Sequence, residues 1–216
     1  MTTSERGGRP AATSAHELSV VALRLFVERG YESTSVDQIA EAAGVSRRTF
    51  FRYFPTKADV LFADSPEELR RLRGALDAIN PGETVRSAVR RSVLAALSAP
   101  SGDDEWIRQR AVLIMGDPLL RAHGHAAFDA WRRTVTAFVA ARLGVSAAEV
   151  VPLAFGHAAL AASLAAHEHW VGTGGNQLAD SLAAALDLLL PGPSASFAGR
   201  VDGPSAEALP WAEGLR

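Results

Sequence analysis

The chain contains no cysteine and only one lysine, Lys57, among its 22 basic residues. The first absence excludes a disulfide framework and thiolate zinc sites, and suits a reducing compartment. The second leaves 21 arginines, a bias that together with abundant alanine fits a GC-rich genome, so an arginine taken alone says little about chemistry. A net charge of −2 excludes a globally basic nucleic-acid coat; any polyanion site has to be local. The opening stretch "MTTSERGGRPAATSAHE" lacks the apolar core of a signal peptide, and no later run reads as a bilayer span, so the expectation is a soluble cytoplasmic protein without a membrane partner. Period-2 alternation is nearly absent, which removes strands and leaves an all-α fold.

What is present is a succession of helix signals. Ser14 and Glu17 have capping-box spacing, and Leu18, Val21, Ala22, Leu25 and Phe26 recur on one face until Gly30. Thr34 with Asp37 reads as the cap of a short helix carrying Val36, Ile39, Ala40 and Ala43. Ser46 caps a third helix stopped by Pro55, and Thr56 with Asp59 caps a fourth. Longer helices follow at roughly 57–78 with a perturbation at Pro66, then 83–98, 104–115, 124–143, 147–171 and 176–190. Residues 1–12 read as a flexible arm, and residues 191–216, rich in Pro, Gly, Ala and Ser, as a disordered tail in which Trp211 could dock. The domain reading is therefore 13–60 for a first small domain and 61–190 for a larger helical one.

One segment stands apart chemically. "VSRRTFFRYFPTK", residues 45–57, holds three arginines, the lysine and four aromatic rings with no acidic side chain. Two short helices joined by "AAGVS" form a helix-turn-helix pattern, in which Gly44 can take positive φ and Val45 can plug the angle between helices. Phe50 and Phe54 can anchor the second helix inward. That leaves Arg47, Arg48 and Thr49 near its N-terminal end, where a recognition helix meets base edges. Arginine can pair with guanine O6 and N7, and threonine can touch a thymine methyl group. Outward-facing amides at the caps Thr34, Ser46 and Thr56 suit phosphate oxygens. Lys57, placed in the first turn of its helix against the macrodipole, would be relieved by a phosphate partner.

Residues 14–62, and above all "TSVDQIAEAAGVSRRTFFRYFPTKADVL", resemble the DNA-binding domain of TetR-family transcriptional regulators. The matching positions are Thr34, Ile39, Ala40, Ala43, Gly44, Val45, Ser46, Thr49, Tyr53, Phe54, Pro55 and Lys57, about a quarter of the chain being covered. The resemblance implies backbone contacts from Thr34, Ser46, Thr49, Tyr53 and Lys57, and sequence reading by Arg47, Arg48 and Thr49. Phe51 stands where the family has a tyrosine whose hydroxyl touches phosphate, so that contact is lost or passes to Arg52. "RRTFFRYFPTK" followed by "LFAD", with the later "AHEHW", is similar to regulators of mycofactocin-type systems, which implies a long-chain acyl-CoA effector.

A single short recognition helix buries little surface, so a two-fold dimer presenting two of them about 34 to 36 Å apart to a palindromic operator is expected. Its contact is expected through residues 147–190, where "EVVPLAFGHAALAASLAAHEHWV" is apolar nearly all round. Small residues at Ala158, Ala159, Ala161, Ala162, Ala165 and Ala166 would permit close approach, and Leu178, Leu182, Leu186 and Leu189 share a face. If the resemblance extends to mechanism, the middle helices hold an effector cavity. Its candidate lining is Trp106, Arg110, Leu113, Ile114, Phe128, Trp131, Val135 and Phe138, with Arg132 or Arg133 for an anionic group. Ordinary core packing competes with that role at each apolar position. The histidines at 123, 125, 157, 167 and 169 read as pocket or helix-end residues and not as a metal site; neither cofactor nor metal is called for. The reading is a ligand-responsive DNA-binding repressor. A constitutive DNA-binding module without effector stays open, whereas an all-α enzyme finds no Gly-x-Ser-x-Gly elbow, phosphate loop or His-Glu-x-x-His motif to stand on.

Overall fold

In a computed structural model the described residues are 14–78, 80, 82–97, 104–173 and 178–190. The expected arm at 1–12, the tail at 191–216 and Trp211 lie outside them. The order of elements is α1 (Ala15–Arg29), α2 (Val36–Ala42), α3 (Arg47–Tyr53), a 3-10 turn (Ala58–Phe62), α4 (Ser65–Asp77), α5 (Val85–Leu97), α6 (Asp104–Gly116), α7 (Pro118–His123), α8 (His125–Leu143), α9 (Val150–Thr173) and α10 (Leu178–Leu189). Among the described residues there is no strand, and the chain is all-α.

Local chemistry explains most of these boundaries. Ser14 and Glu17 close the capping box of α1, and Gly30 ends it at φ +89°. The cap of α2 is one residue later than its sequence suggests: Ser35, paired with Gln38, forms the box. Thr34 turns inward instead, its hydroxyl donating to the carbonyls of Gly30 and Leu25 at 2.8 and 3.3 Å, so it closes the end of α1 and does not open α2. Gly44 takes φ +69° between α2 and α3, and the Val45 amide donates back to Ala40 at 2.9 Å, which sets the sharp turn. The expected helix 57–78 divides in two. Thr56 and Asp59 make their cap-like pair at 2.6 and 2.8 Å but head only the 3-10 turn, and Pro66 in the first turn of α4 marks a fresh helix start. A further break at Asp117-Pro118 creates α7, where Asp117 caps the amides of Leu119 and Leu120.

Leu18, Ala22, Leu23 and Phe26 of α1, Ile39 of α2, Phe50 of α3 and Phe54 form a core that also takes in Val60, Leu61, Ile114 and Leu120. The first domain is thus cemented to α6 and α7 through the 3-10 turn. A second core joins α4, α5, α8, α9 and α10 around Leu72, Val89, Val93, Val135, Val139, Ala159 and Leu186. A third, smaller cluster sets Ala111 of α6 against Ala166, Trp170, Leu178 and Leu182.

By length and composition α9 could cross a bilayer, contrary to the sequence expectation, with 24 residues and a mean hydropathy of 1.4 in its most apolar window. Here it packs against α8 and α10. Gly156 permits the α8 approach, since a Cβ there would overlap Thr136 Oγ1 and lie 2.9 Å from the Arg132 carbonyl oxygen. Ala159, Ala162 and Ala166 are buried inside the subunit, while Ala161 and Ala165 are exposed. In α10 the buried face runs Leu178, Leu182, Leu186 and on to Leu190; Leu189 is 41% exposed, correcting the expected stripe.

Candidate functional site

Two sites were expected, and both can be built from the residues upward. At the first, Ser46 caps α3 by accepting from the Thr49 amide at 3.0 Å, and its hydroxyl also lies 2.9 Å from Thr49 Oγ1. Phe50 is fully buried and Phe54 nearly so, which fixes the helix and turns Arg47, Arg48, Phe51 and Arg52 to the outer surface. Arg47 is not free. Both of its bonds go to Asp37 of α2 at 2.8 Å, and its guanidinium lies over the Phe51 ring, 5.3 Å from the centroid. Arg48 is exposed with no hydrogen-bond or ion-pair partner among the described residues. Arg52 lies over the half-buried Tyr53 ring at 5.1 Å.

Two expected phosphate ligands have partners within the chain. Thr34 is 1% exposed, and with its hydroxyl spent on Leu25 and Gly30 and its amide on Tyr31, neither group is offered outward. Lys57 resolves its conflict with the helix dipole within the chain: Nζ donates to the carbonyls of Tyr31 and Thr34 at 2.7 and 3.1 Å and sits 4.1 Å from the Tyr31 ring centroid. Periodicity gave no hint of this, because the partners lie 26 and 23 residues away.

The second site is a cavity behind the 3-10 turn, about 770 Å³ of space that includes its opening to solvent. Leu61 and Phe62 of the 3-10 turn form one wall, α4 and α6 a second, and α8 and α9, with Leu97 at the end of α5, the rest. Of the expected lining, Arg110, Ile114, Phe128 and Trp131 are there. Trp106 and Leu113 pack against the core of the first domain, and Val135 and Phe138 against the second core. Arg132 and Arg133 both bind Asp129, so neither serves an anion in the cavity; Arg133 faces a shallow surface groove with Arg73 and Thr134. The sequence reading missed Glu68 and Ser163, whereas His167, read as a pocket or helix-end residue, does line the cavity. Glu68 was hidden in a strongly charged amphipathic helix, where a carboxylate is normally a solvated residue.

The polar groups of this cavity are connected. Arg110 donates to Glu68 Oε1 at 2.5 Å, lies 4.0 Å from Asp64 Oδ2, and stands over the Trp106 ring at 5.1 Å. Burial pushes the Glu68 carboxyl upward, but the charge and hydrogen bond of Arg110 outweigh it and hold the group below its ordinary value. His167 donates from Nδ1 to the Ser163 carbonyl at 2.7 Å, and desolvation, aided by the nearby Arg110 charge, lowers its pKa despite that bond. Its Nε2 is thereby left as an acceptor. Trp131, 8% exposed, keeps an indole N–H with no partner among the described residues.

The cavity touches the DNA-binding elements through short links. His123 at the end of α7 meets Asp59 Oδ1 at 2.7 Å, and its ring lies 5.9 Å from that of Phe62. Gly124 lets Phe62 lie close: a Cβ there would fall 2.5 Å from its Cε1 and 3.0 Å from the Phe128 ring.

Comparison with known proteins agrees with this two-part layout. Residues 19–63 match the family described as "Bacterial regulatory proteins, tetR family", and residues 83–194 match the "MftR C-terminal domain". The chain belongs to the TetR family of transcriptional regulators. It is 34% identical over 184 residues to a Mycobacterium tuberculosis protein named "Putative mycofactocin biosynthesis transcriptional regulator MftR", covering 85% of this chain and 93% of that one. Among solved TetR-type folds, the fatty acid degradation regulator FadR of Bacillus halodurans superposes with a TM-score of 0.62 at 17% identity, covering 86% of this chain and 99% of the other. FadR of Thermus thermophilus, a TetR-family repressor in complex with lauroyl-CoA, gives 0.57 at 24% identity, covering 88% and 98%. Both likenesses are of fold. As a TetR-family member the chain is a regulator and not an enzyme.

Proposed function

We propose that the protein is a cytoplasmic repressor that binds a palindromic operator as a dimer and is released when an aliphatic, acyl-type effector fills the cavity behind the 3-10 turn. The observation that carries the reading is the shared wall. Leu61 and Phe62 line the cavity while Leu61 also belongs to the core of the DNA-binding domain, so a ligand pressing on the 3-10 turn presses on the frame of α1–α3. The His123–Asp59 bond and the Lys57 bonds to Tyr31 and Thr34 both stand at the start of that turn, and the His123 ring also lies beside Phe62 at its end, so displacement passes in both directions. Effector and operator then prefer different placements of α3, which is all that coupling requires.

On the DNA side, Arg48 and Thr49 read bases, with Arg47 recruited from Asp37 on docking. Ser46, Arg52 and Tyr53 approach the backbone, and Lys57 keeps one N–H beyond the two already used. The dimer surface is the outer face of α9, where Ala154, His157, Ala161 and Ala165 are exposed at helical spacing, together with Leu188 of the neighbouring α10, 82% exposed. The lauroyl-CoA held by the Thermus thermophilus relative supports an acyl-type effector here.

The test is fluorescence anisotropy on labelled DNA from upstream of the protein's own gene, titrated with lauroyl-CoA. A complex that dissociates as the thioester is added supports the reading. A complex indifferent to lauroyl-CoA that demonstrably binds the protein favours a constitutive module instead.

A further inference from the structure

Among the described residues the cavity has one lining arginine or lysine, Arg110, and its charge is already paired. Its guanidinium donates to Glu68 at 2.5 Å, has Asp64 Oδ2 at 4.0 Å and is covered on one face by Trp106. Arg110 and Glu68 are mostly buried, with side chains 12% and 18% exposed, so solvent screens the pair little. Arg132 and Arg133 point to Asp129 and do not line the cavity. His167 cannot substitute for them, because its Nδ1 proton goes to the Ser163 carbonyl and burial disfavours a second one. The remaining walls are mainly hydrocarbon and aromatic.

A carboxylate entering this space would lose its hydration and find no unpaired positive charge, while Glu68 repels it. An uncharged polar end meets no such penalty. Nε2 of His167 can accept from a hydroxyl.

We propose that Glu68 is a specificity determinant of the cavity: by holding Arg110 in an ion pair it restricts the site to aliphatic ligands whose buried end is uncharged, and excludes the matching carboxylates. This rests on the cavity being the effector site. It adds that a free fatty acid and an uncharged derivative of equal chain length are told apart, and it names the residue responsible.

The experiment measures binding of laurate, methyl laurate and 1-dodecanol to the full-length protein by isothermal titration calorimetry at pH 7.5. The wild type is expected to bind methyl laurate or dodecanol at least tenfold more tightly than laurate. In Glu68→Gln the guanidinium loses its counter-charge while the hydrogen-bonding shape is kept, so the laurate-to-dodecanol affinity ratio should rise at least tenfold. Adding Arg110→Gln to that variant should return the ratio toward the wild-type value. Should Glu68→Gln not fold, Glu68→Ala and the wild-type selectivity give the same reading. Equal binding of laurate and dodecanol by the wild type, or an unchanged ratio in the variants, overturns the proposal while leaving the cavity as effector site. Failure of all three ligands and of lauroyl-CoA to bind any variant overturns the effector reading as well.

Discussion

Lys57 stands over the ring of Tyr31, with Nζ 4.1 Å from its centroid, and donates to the carbonyl oxygen of the same residue at 2.7 Å. The chain's single ammonium side chain therefore ties the loop after α1 to the start of the 3-10 turn. Lys57→Met should lower the stability of the folded protein by on the order of 1 to 2 kcal/mol, the range for a part-exposed hydrogen bond to a charged group. It should also weaken binding to operator and random DNA alike. Thermal unfolding beside anisotropy on both DNAs checks this; a variant with unchanged melting temperature would show that the bonds to Tyr31 and Thr34 contribute nothing.

Arg48 and Arg47 should separate on mutation even though they are neighbours. Arg48→Ala is expected to cost roughly 1 to 3 kcal/mol of specific binding and to relax sequence preference. Arg47 has first to leave Asp37, so Asp37→Ala should strengthen DNA binding and steepen its salt dependence, whereas Arg47→Ala costs less than Arg48→Ala. Anisotropy at several salt concentrations with matched and scrambled operators reads all three.

His167 gives a pH signature. Desolvation lowers its folded-state pKa below the ordinary histidine value, so the unfolded chain binds a proton more readily than the folded one as pH falls through about 6.5. Its contribution to stability is thus complete above that pH and is lost progressively below it. Glu68, also lowered, loses its contribution only in the more acidic carboxylate range. Denaturant unfolding at pH 7.5 and 5.5 should show a decline that is smaller in His167→Gln.

Leu188 is 82% exposed on α10, the helix that packs against α9. A charge there is compatible with the subunit but not with an apolar dimer surface. Leu188→Glu should shift the mass in solution toward the monomer and weaken operator binding, without a comparable loss of helix content. Sedimentation equilibrium with circular dichroism decides it.

How far the sequence carried depended on the range of the interactions. Local ones were legible: the capping box of Ser14 and Glu17, the positive φ of Gly44, and the inward anchors Phe50 and Phe54 are all where short-range chemistry puts them. The shift of the α2 cap from Thr34 to Ser35 was not, because it depends on carbonyls at Leu25 and Gly30 that only the folded α1 presents. At the cavity, apolar periodicity identified core helices but not which of their residues meet a void and which meet another helix. Trp131 and Val135 lie one turn apart on α8, and only the first lines the space. Glu68 escaped for the same reason: its partner lies 42 residues away on α6, beyond any pattern of spacing.

The solitary lysine also makes the junction observable. Protein grown on lysine enriched in carbon-13 and nitrogen-15 would give magnetic resonance signals from one residue, and that residue lies against an aromatic ring where the loop after α1 meets the 3-10 turn. The ring current of Tyr31 displaces the resonances of the lysine's terminal methylene, so their position tracks the distance between the two side chains. Adding DNA or an effector would move one peak, and its direction would tell whether the junction tightens or opens.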